Sequence, residues 1–179
     1  MSTGEGVERK ARFERLVSAS YGELYRYAAW LSRDPGVAEV VVQESLLRAW
    51  KSLDALKNDN AAKAWLLTIV RRENARYFAT SSPATLDIDD LSPAQDAMIA
   101  AVDDSGLEDL RRAILGLDEG YREPLVLQVL MGHSCREIAD IMGINPGAVL
   151  TRLHRARMKL REALDGERRV AAARQADGV

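Results

Sequence analysis

The sequence predicts an all-α protein built as two small helical domains joined by an acidic, flexible linker, and three observations carry that prediction. Apolar residues recur at steps of three and four through both ends of the chain, with few β-branched alternations and no Asn-Gly or Asp-Gly hairpin signal. Charge divides sharply: residues 1–76 hold 13 basic and 10 acidic side chains, residues 77–110 hold eight acidic and none basic, and residues 111–179 hold 12 basic and nine acidic. The acidic stretch also places Pro83 and Pro93 among Ser, Thr and Asp, the composition of a solvated connector. These features set a first domain over 8–80, a linker over 81–104 with a short helix around Ala94 to Val102, a second domain over 105–165 and a tail over 166–179.

The first block opens with Phe13, Leu16, Val17 and Ser20, then Leu24, Tyr27, Ala28 and Leu31, which together make one buried helical face. Asp34-Pro35 supplies an N-cap and a proline at the first helical position, so a second helix runs from there to about Leu53. Lys57 to Asn60 forms a polar loop. A third helix from about Ala61 carries Trp65, Ile69 and Arg72 or Glu73 on one side and ends near Phe78, before Ser81-Ser82-Pro83. Trp50 and Trp65 are expected in the core, where large aromatics at helical spacing usually belong.

In the second block, Leu107, Leu110, Ile114 and Leu117 have helical spacing, and a helix from roughly Glu119 to Met131 contains Pro124, which limits or kinks its first turn. Ser134 and Glu137 then form a capping box that opens a short helix with Ile138, Ala139 and Ile141 facing inward. Gly143 suits the left-handed turn that follows it. Asn145-Pro146 starts the next helix, whose Val149, Leu153, Ala156 and Leu160 recur at steps of four, three and four. A short helix, a tight glycine turn and a second helix make a helix-turn-helix.

The outer side of that second helix carries the chemistry. Leu150, Thr151, His154, Arg155 and Met158 lie opposite the buried residues, flanked by Arg152, Arg157, Lys159 and Arg161. Arginine can fork onto guanine O6 and N7, threonine can serve a base edge or a phosphate, and flanking cations hold phosphates without reading sequence. The face therefore matches the DNA major groove.

Other classes fall away on composition. The formal net charge is −2, from 25 Lys plus Arg against 27 Asp plus Glu. The longest apolar run is Ala97 to Val102, far short of the ~20 residues that span a membrane, and Met1 to Val7 lacks the layout of a secretion signal. No membrane insertion and a cytoplasmic location are expected. Cys135 is the single cysteine, and His133 and His154 are the only imidazoles, so neither a disulfide framework nor structural zinc is expected. Without a glycine-rich phosphate loop, metal-spaced carboxylate pairs or a Ser/His/Asp set, an enzyme is not expected, nor is any cofactor. Cys135 begins a helix beside His133 and Arg136, where a thiolate is favoured, but a small residue tolerated at a helix start is the simpler reading.

Three segments carry a family resemblance. EIADIMGINPGAVLTRLHRARMKL (Glu137 to Leu160) resembles the helix-turn-helix with which bacterial extracytoplasmic-function (ECF) sigma factors read the promoter minus-thirty-five element. AEVVVQESLLRAW (Ala38 to Trp50) and AWLLTIVRRENARYF (Ala64 to Phe78) resemble the two motif helices of that family's first domain. The three occur in the family's order and spacing, and the resemblance spans about Ala11 to Leu164 apart from the linker. It implies a subunit, monomeric when free, that binds core RNA polymerase, recognises two elements of promoter DNA and helps separate the strands, with an anti-sigma factor as regulator.

The resemblance also implies roles. Gln43 and Glu44, with Glu39 on the same helix, match positions that dock on the clamp helices of the largest polymerase subunit; Val40 stands where the family usually has aspartate. For the minus-ten element it points to the loop Asp54 to Ala62, with Lys57, Asn58 and Asn60 able to hydrogen-bond a flipped base, and to Arg71, Arg72, Asn74 and Arg76 on the next helix. Arg72 occupies a position where many relatives have asparagine. Leu150, Thr151, His154 and Arg155 match positions that face the minus-thirty-five element, with Arg152 and Arg157 beside them. Ala148 replaces a usual threonine and Leu150 a frequent cation. Two rivals remain: a helix-turn-helix transcription factor that acts without replacing sigma, and a non-enzymatic protein-interaction bundle.

Overall fold

Asp34 begins a helix: its carboxylate, accepting from the Val37 amide at 3.0 Å, caps the second of three helices that form the first unit. In the computed structural model, which describes residues 2–80 and 105–176, these are α1 (Ser2–Ser32), α2 (Pro35–Lys51) and α3 (Ala62–Thr80). Each contacts the other two. Arg33 makes the α1–α2 corner in the left-handed conformation (φ 59°) that glycine usually occupies. The core is Leu24, Tyr27, Ala28 and Leu31 from α1, Ala38, Val41, Val42 and Ala49 from α2, and Leu66, Leu67 and Val70 from α3, all buried.

Between α2 and α3 the chain makes two single turns of 3-10 helix, Leu53–Ala55 and Asp59–Ala61. Leu53, Leu56 and Ala62 turn inward and form a small satellite core with Phe13, Leu16, Trp50 and Trp65. The two tryptophans are thus packing residues, as their spacing suggests, and the Phe13 ring meets Trp50 edge-on at 5.2 Å. The polar loop around Lys57 to Asn60 is anchored on both sides of its tip.

The second unit comprises α4 (Ser105–Leu115), α5 (Glu119–Leu125), α6 (Cys135–Met142) and α7 (Pro146–Ala176). Arg122 is buried and donates to the carbonyls of Leu117 (2.7 Å) and Leu115 (3.3 Å), satisfying acceptors that the end of α4 leaves open. The helix expected over Glu119 to Met131 is not uniform. It runs as α-helix to Leu125 and widens into a π-helical turn over Val126–Leu130, closed by the Met131 amide on the Val126 carbonyl at 3.2 Å. Pro124 brings no amide hydrogen to the preceding turn and its ring crowds the carbonyl four residues back, so the following turn opens by one residue. That turn leaves Val129 and Leu130 exposed.

The caps around the helix-turn-helix form as the sequence predicts. Ser134 and Glu137 bond reciprocally, backbone amide to carboxylate at 2.8 Å and amide to hydroxyl at 3.3 Å. Gly143 has φ +65° and the Asn145 side chain accepts from the Ala148 amide at 2.8 Å. Ile138, Ala139, Ile141, Val149, Leu153 and Ala156 are buried, while Leu160 is only partly so. α7 continues through Ala176, so residues 166–176 of the expected tail are helical. Arg161, Asp165 and Arg169 are spaced four apart and the end is alanine-rich, a pattern that favours helix and offsets part of the cost of about 1 kcal/mol for Gly166. The linker 81–104, with the short helix around Ala94 to Val102, lies outside the described residues.

Candidate polymerase-docking and nucleic-acid interfaces

On α2 the inward set Ala38, Val41, Val42, Ser45 and Ala49 leaves Glu39, Val40, Gln43, Glu44 and Leu47 on the opposite side. All five are exposed, Val40 at 45% and Leu47 at 56%. Two aliphatic side chains set among two carboxylates and an amide give a face that can combine apolar burial with polar registration against a partner helix. Val40, exposed between Glu39 and Gln43, shifts that face toward the apolar. Below it, Val40, Val41 and Glu44 meet Glu73, Arg76, Tyr77 and Thr80 of α3 along an open cleft.

Glu73 lies at the bottom of this arrangement, 7% exposed, and ties the two helices together. One carboxylate oxygen pairs with Arg48 of α2 and the other lies 3.6 Å from Arg76. A buried carboxylate between two guanidiniums keeps its charge compensated and fixes where Arg76 stands. The helix-spacing reading left Arg72 and Glu73 open as alternatives for the inner side; Glu73 takes it, and Arg72 is exposed. The expected minus-ten set divides accordingly. Arg72 and Arg76 are exposed four residues apart, and Arg71 is half-buried and engaged within the protein. Asn74 is 2% exposed, one helical turn after Val70 on the inner face, so a direct DNA contact from it is not available. This is a correction, with a simple cause: α3 is flanked by α1 and α2, so too little of its circumference remains for all four polar residues.

Lys57, Asn58 and Asn60 are all exposed at the loop tip. Asn58 spends its carbonyl oxygen locally, accepting from the Asn60 amide at 3.0 Å, which leaves its amide donors outward. The loop is held from α1 by residues that the sequence did not single out. Arg12 donates to Asp59 Oδ1 from Nε (2.9 Å) and Nη2 (2.6 Å), and Nη2 also reaches the Leu56 carbonyl at 2.8 Å. Arg9 donates to the Trp50 carbonyl at 2.9 Å, lies 3.4 Å from Asp54 and stacks 4.6 Å from the centre of the Trp50 ring. The hydrogen bond from Arg12 holds the Asp59 carboxyl below its ordinary range, and the same pairing pushes Arg12 upward. No local pattern announces a pairing across more than 40 residues of chain.

On α7 the predicted basic face separates into two. Leu150, Thr151, His154, Arg155 and Met158 are exposed, and among the described residues neither His154 nor Arg155 has a hydrogen-bond or ion-pair partner. Thr151 donates its hydroxyl back to the Gly147 carbonyl at 3.0 Å, which keeps its oxygen outward as an acceptor. The flanking cations lean elsewhere. Arg152 is half-buried with its guanidinium over Gly120, Arg157 donates to the Gln128 side chain at 2.6 Å, and Lys159 sits 5.4 Å from the Tyr121 ring centre. Cys135 is half-buried and accepts weakly from Gln128 at 3.6 Å. Among the described residues no group of His, Cys, Asp and Glu could hold a metal ion, and no helix is long and apolar enough to cross a membrane.

A three-helix unit with an exposed, mixed apolar and acidic face on α2 and a braced polar loop is followed by a helix-turn-helix unit. Residues 16–84 match the family description Sigma-70 region 2, and residues 107–160 match Sigma-70, region 4. The chain is 34% identical to the ECF RNA polymerase sigma factor SigL of Mycobacterium tuberculosis over 90% of its own length and 94% of that protein's. It is 30% identical to the ECF sigma factor EcfG of Rhodopseudomonas palustris over 80% of both chains. Among solved structures it resembles the sigma factor RpoE of Bartonella quintana, in complex with the anti-sigma factor NepR (TM-score 0.65, 28% identity, 86% of this chain and 96% of that one). It also resembles CnrH, in complex with the cytosolic domain of CnrY (TM-score 0.65, 26% identity, 86% and 88%). The chain belongs to the ECF sigma factors of bacterial RNA polymerase.

Proposed function

We infer that this chain binds core RNA polymerase, directs it to promoters through two DNA elements and acts in the cytoplasm without chemistry of its own. The exposed α2 face of Glu39, Gln43 and Glu44, with Val40 and Leu47, docks on the polymerase. Lys57, Asn58 and Asn60 meet an extruded base of the minus-ten strand, while Arg72 and Arg76 follow its phosphates. Leu150, Thr151, His154 and Arg155 enter the major groove at the minus-thirty-five element. Arg152 and Arg157 serve chiefly to seat α7 on α5 and its π-helical turn. The observation that carries this reading is the separation on α7 of outward His154 and Arg155, without a partner among the described residues, from cations already engaged within the unit.

An anti-sigma factor is the regulator that the likeness to RpoE supports, since that sigma factor was solved with such a partner. The reading is tested by adding the purified protein to sigma-free core polymerase on a library of promoter fragments. Promoter-dependent transcripts are expected. A protein that instead bound a palindromic duplex as a dimer, and started no transcription with core, would be a helix-turn-helix transcription factor of another kind.

A further inference from the structure

The loop between α2 and α3 has an unfavourable charge for a nucleic-acid reader. Asp54 and Asp59 outnumber Lys57, so the loop by itself is net negative where the proposed minus-ten strand would pass. The first turns of α1 reverse that sign. Arg9 stands beside Asp54, and Arg12 clasps Asp59 with two donors, one of which also holds the Leu56 carbonyl. With both guanidiniums counted the loop region is net positive. Geometry is set by the same contacts: Arg9 fixes the Trp50 carbonyl where α2 ends, and Arg12 fixes the backbone just before Lys57 and the side chain just after Asn58. Within the tip, Asn58 caps Asn60. A short loop held at Trp50, Asp54, Leu56 and Asp59 has little freedom left, so the amides of Asn58 and Asn60 are presented without an ordering cost at binding.

We propose that Arg9 and Arg12 are positioning residues for minus-ten recognition: they hold the reading loop in one conformation and convert its net charge from negative to positive, without touching DNA themselves. This rests on the reading of the loop as the minus-ten reader. It assigns part of promoter specificity to the amino-terminal turns of α1, some 45 residues upstream of the loop that they act through.

The test uses holoenzyme assembled from core polymerase and the full chain, and single-stranded promoter DNA selected by the parent, varied one base at a time. Arg12→Gln is expected to lower discrimination at the loop-facing base by about fivefold, the lower end of single-base discrimination. It should also make the slope of log affinity against log salt shallower, by at most about 0.7, because the loop region then returns from net positive to neutral. Asp59→Asn weakens the same clasp, leaving an uncharged acceptor in place of the carboxylate, with the opposite charge change, so discrimination should fall while the slope steepens by a similar amount. A protein that is merely destabilised cannot move the two slopes in opposite directions. Should Arg12→Gln fold poorly by circular dichroism, Asp59→Asn alone carries the test. A Lys57→Ala, Asn58→Ala, Asn60→Ala variant separates the two levels of argument. If it loses discrimination while both clasp variants keep parental discrimination and slope, the inference about α1 is overturned and the loop reading stands. If every variant discriminates as the parent does, both are overturned.

Discussion

Two exposed arginines of one helix, Arg155 and Arg157, show how little a residue's identity says before its neighbours are known. Arg155→Ala should weaken duplex binding by about 1 to 3 kcal/mol and relax preference at one position of the minus-thirty-five element, as loss of a bidentate base contact does. Arg157→Ala removes a bond to Gln128 instead. It should leave sequence preference intact and lower the melting temperature slightly. Anisotropy titrations against a panel of single-base duplex variants check both, and equal losses across all duplexes for Arg155→Ala would remove its base-reading role. Asp59 gives a residue-scale test of the brace. Its carboxyl is held low first by the hydrogen bond from Arg12, with Coulombic help from Arg12 and Arg15 against the opposing effect of desolvation. A depressed carboxyl stabilises the fold above its unfolded-state value of ~3.9 and loses that contribution as pH falls through the folded-state value. The brace is therefore intact at neutral pH and fails only in acid. In Arg12→Gln the Asp59 carbon resonance, followed by NMR, should titrate at a higher pH than in the parent; an unshifted curve would mean that the clasp does not form in solution.

At the scale of elements, caps and turns decide where helices begin, and they are short-range enough to be tested one at a time. Asn145→Ala leaves the Ala148 amide without its cap and should cost about 1 kcal/mol. At Gly143 an added Cβ meets nothing within 4 Å, so Gly143→Ala is penalised only by its positive φ, again by about 1 kcal/mol. Gly143→Asn should cost less, because asparagine tolerates that conformation. Denaturant titration of the three variants orders them, and a Gly143→Ala protein as stable as the parent would contradict the left-handed turn. The π-helical turn after Pro124 has no comparable signature. A proline inside a helix announces a disturbance, but whether the helix kinks, stops or widens depends on what the next turn is packed against.

For the whole molecule, docking and minus-thirty-five reading are proposed on separate units, so those two should come apart on mutation. A Gln43→Ala, Glu44→Ala variant touches only exposed side chains and should stay folded by circular dichroism. Its affinity for core polymerase should fall by about tenfold, as expected when a polar pair is removed from an interface. Binding of minus-thirty-five duplex by the free protein should not change. Unaltered core affinity, measured by competition with another sigma factor, would move the docking surface elsewhere on the first unit.

The sequence by itself determined the elements whose causes are local. Asp34-Pro35, the Ser134 to Glu137 capping box, Gly143 and Asn145-Pro146 each place a helix boundary through atoms a few residues apart, and the apolar spacing of α1, α2 and α7 marks their inner faces. The family's motif order was legible for the same reason. Tertiary structure decided what depends on partners distant in sequence. It buried Asn74, engaged Arg157, Arg152 and Lys159 on the α5 side, placed Glu73 between Arg48 and Arg76, and drew Arg9 and Arg12 onto the loop. Each of these residues is polar and lies at helical spacing in its own segment. Only the approach of a second helix determines whether such a side chain meets solvent, a carboxylate or a carbonyl, and periodicity within one helix holds no information about that approach.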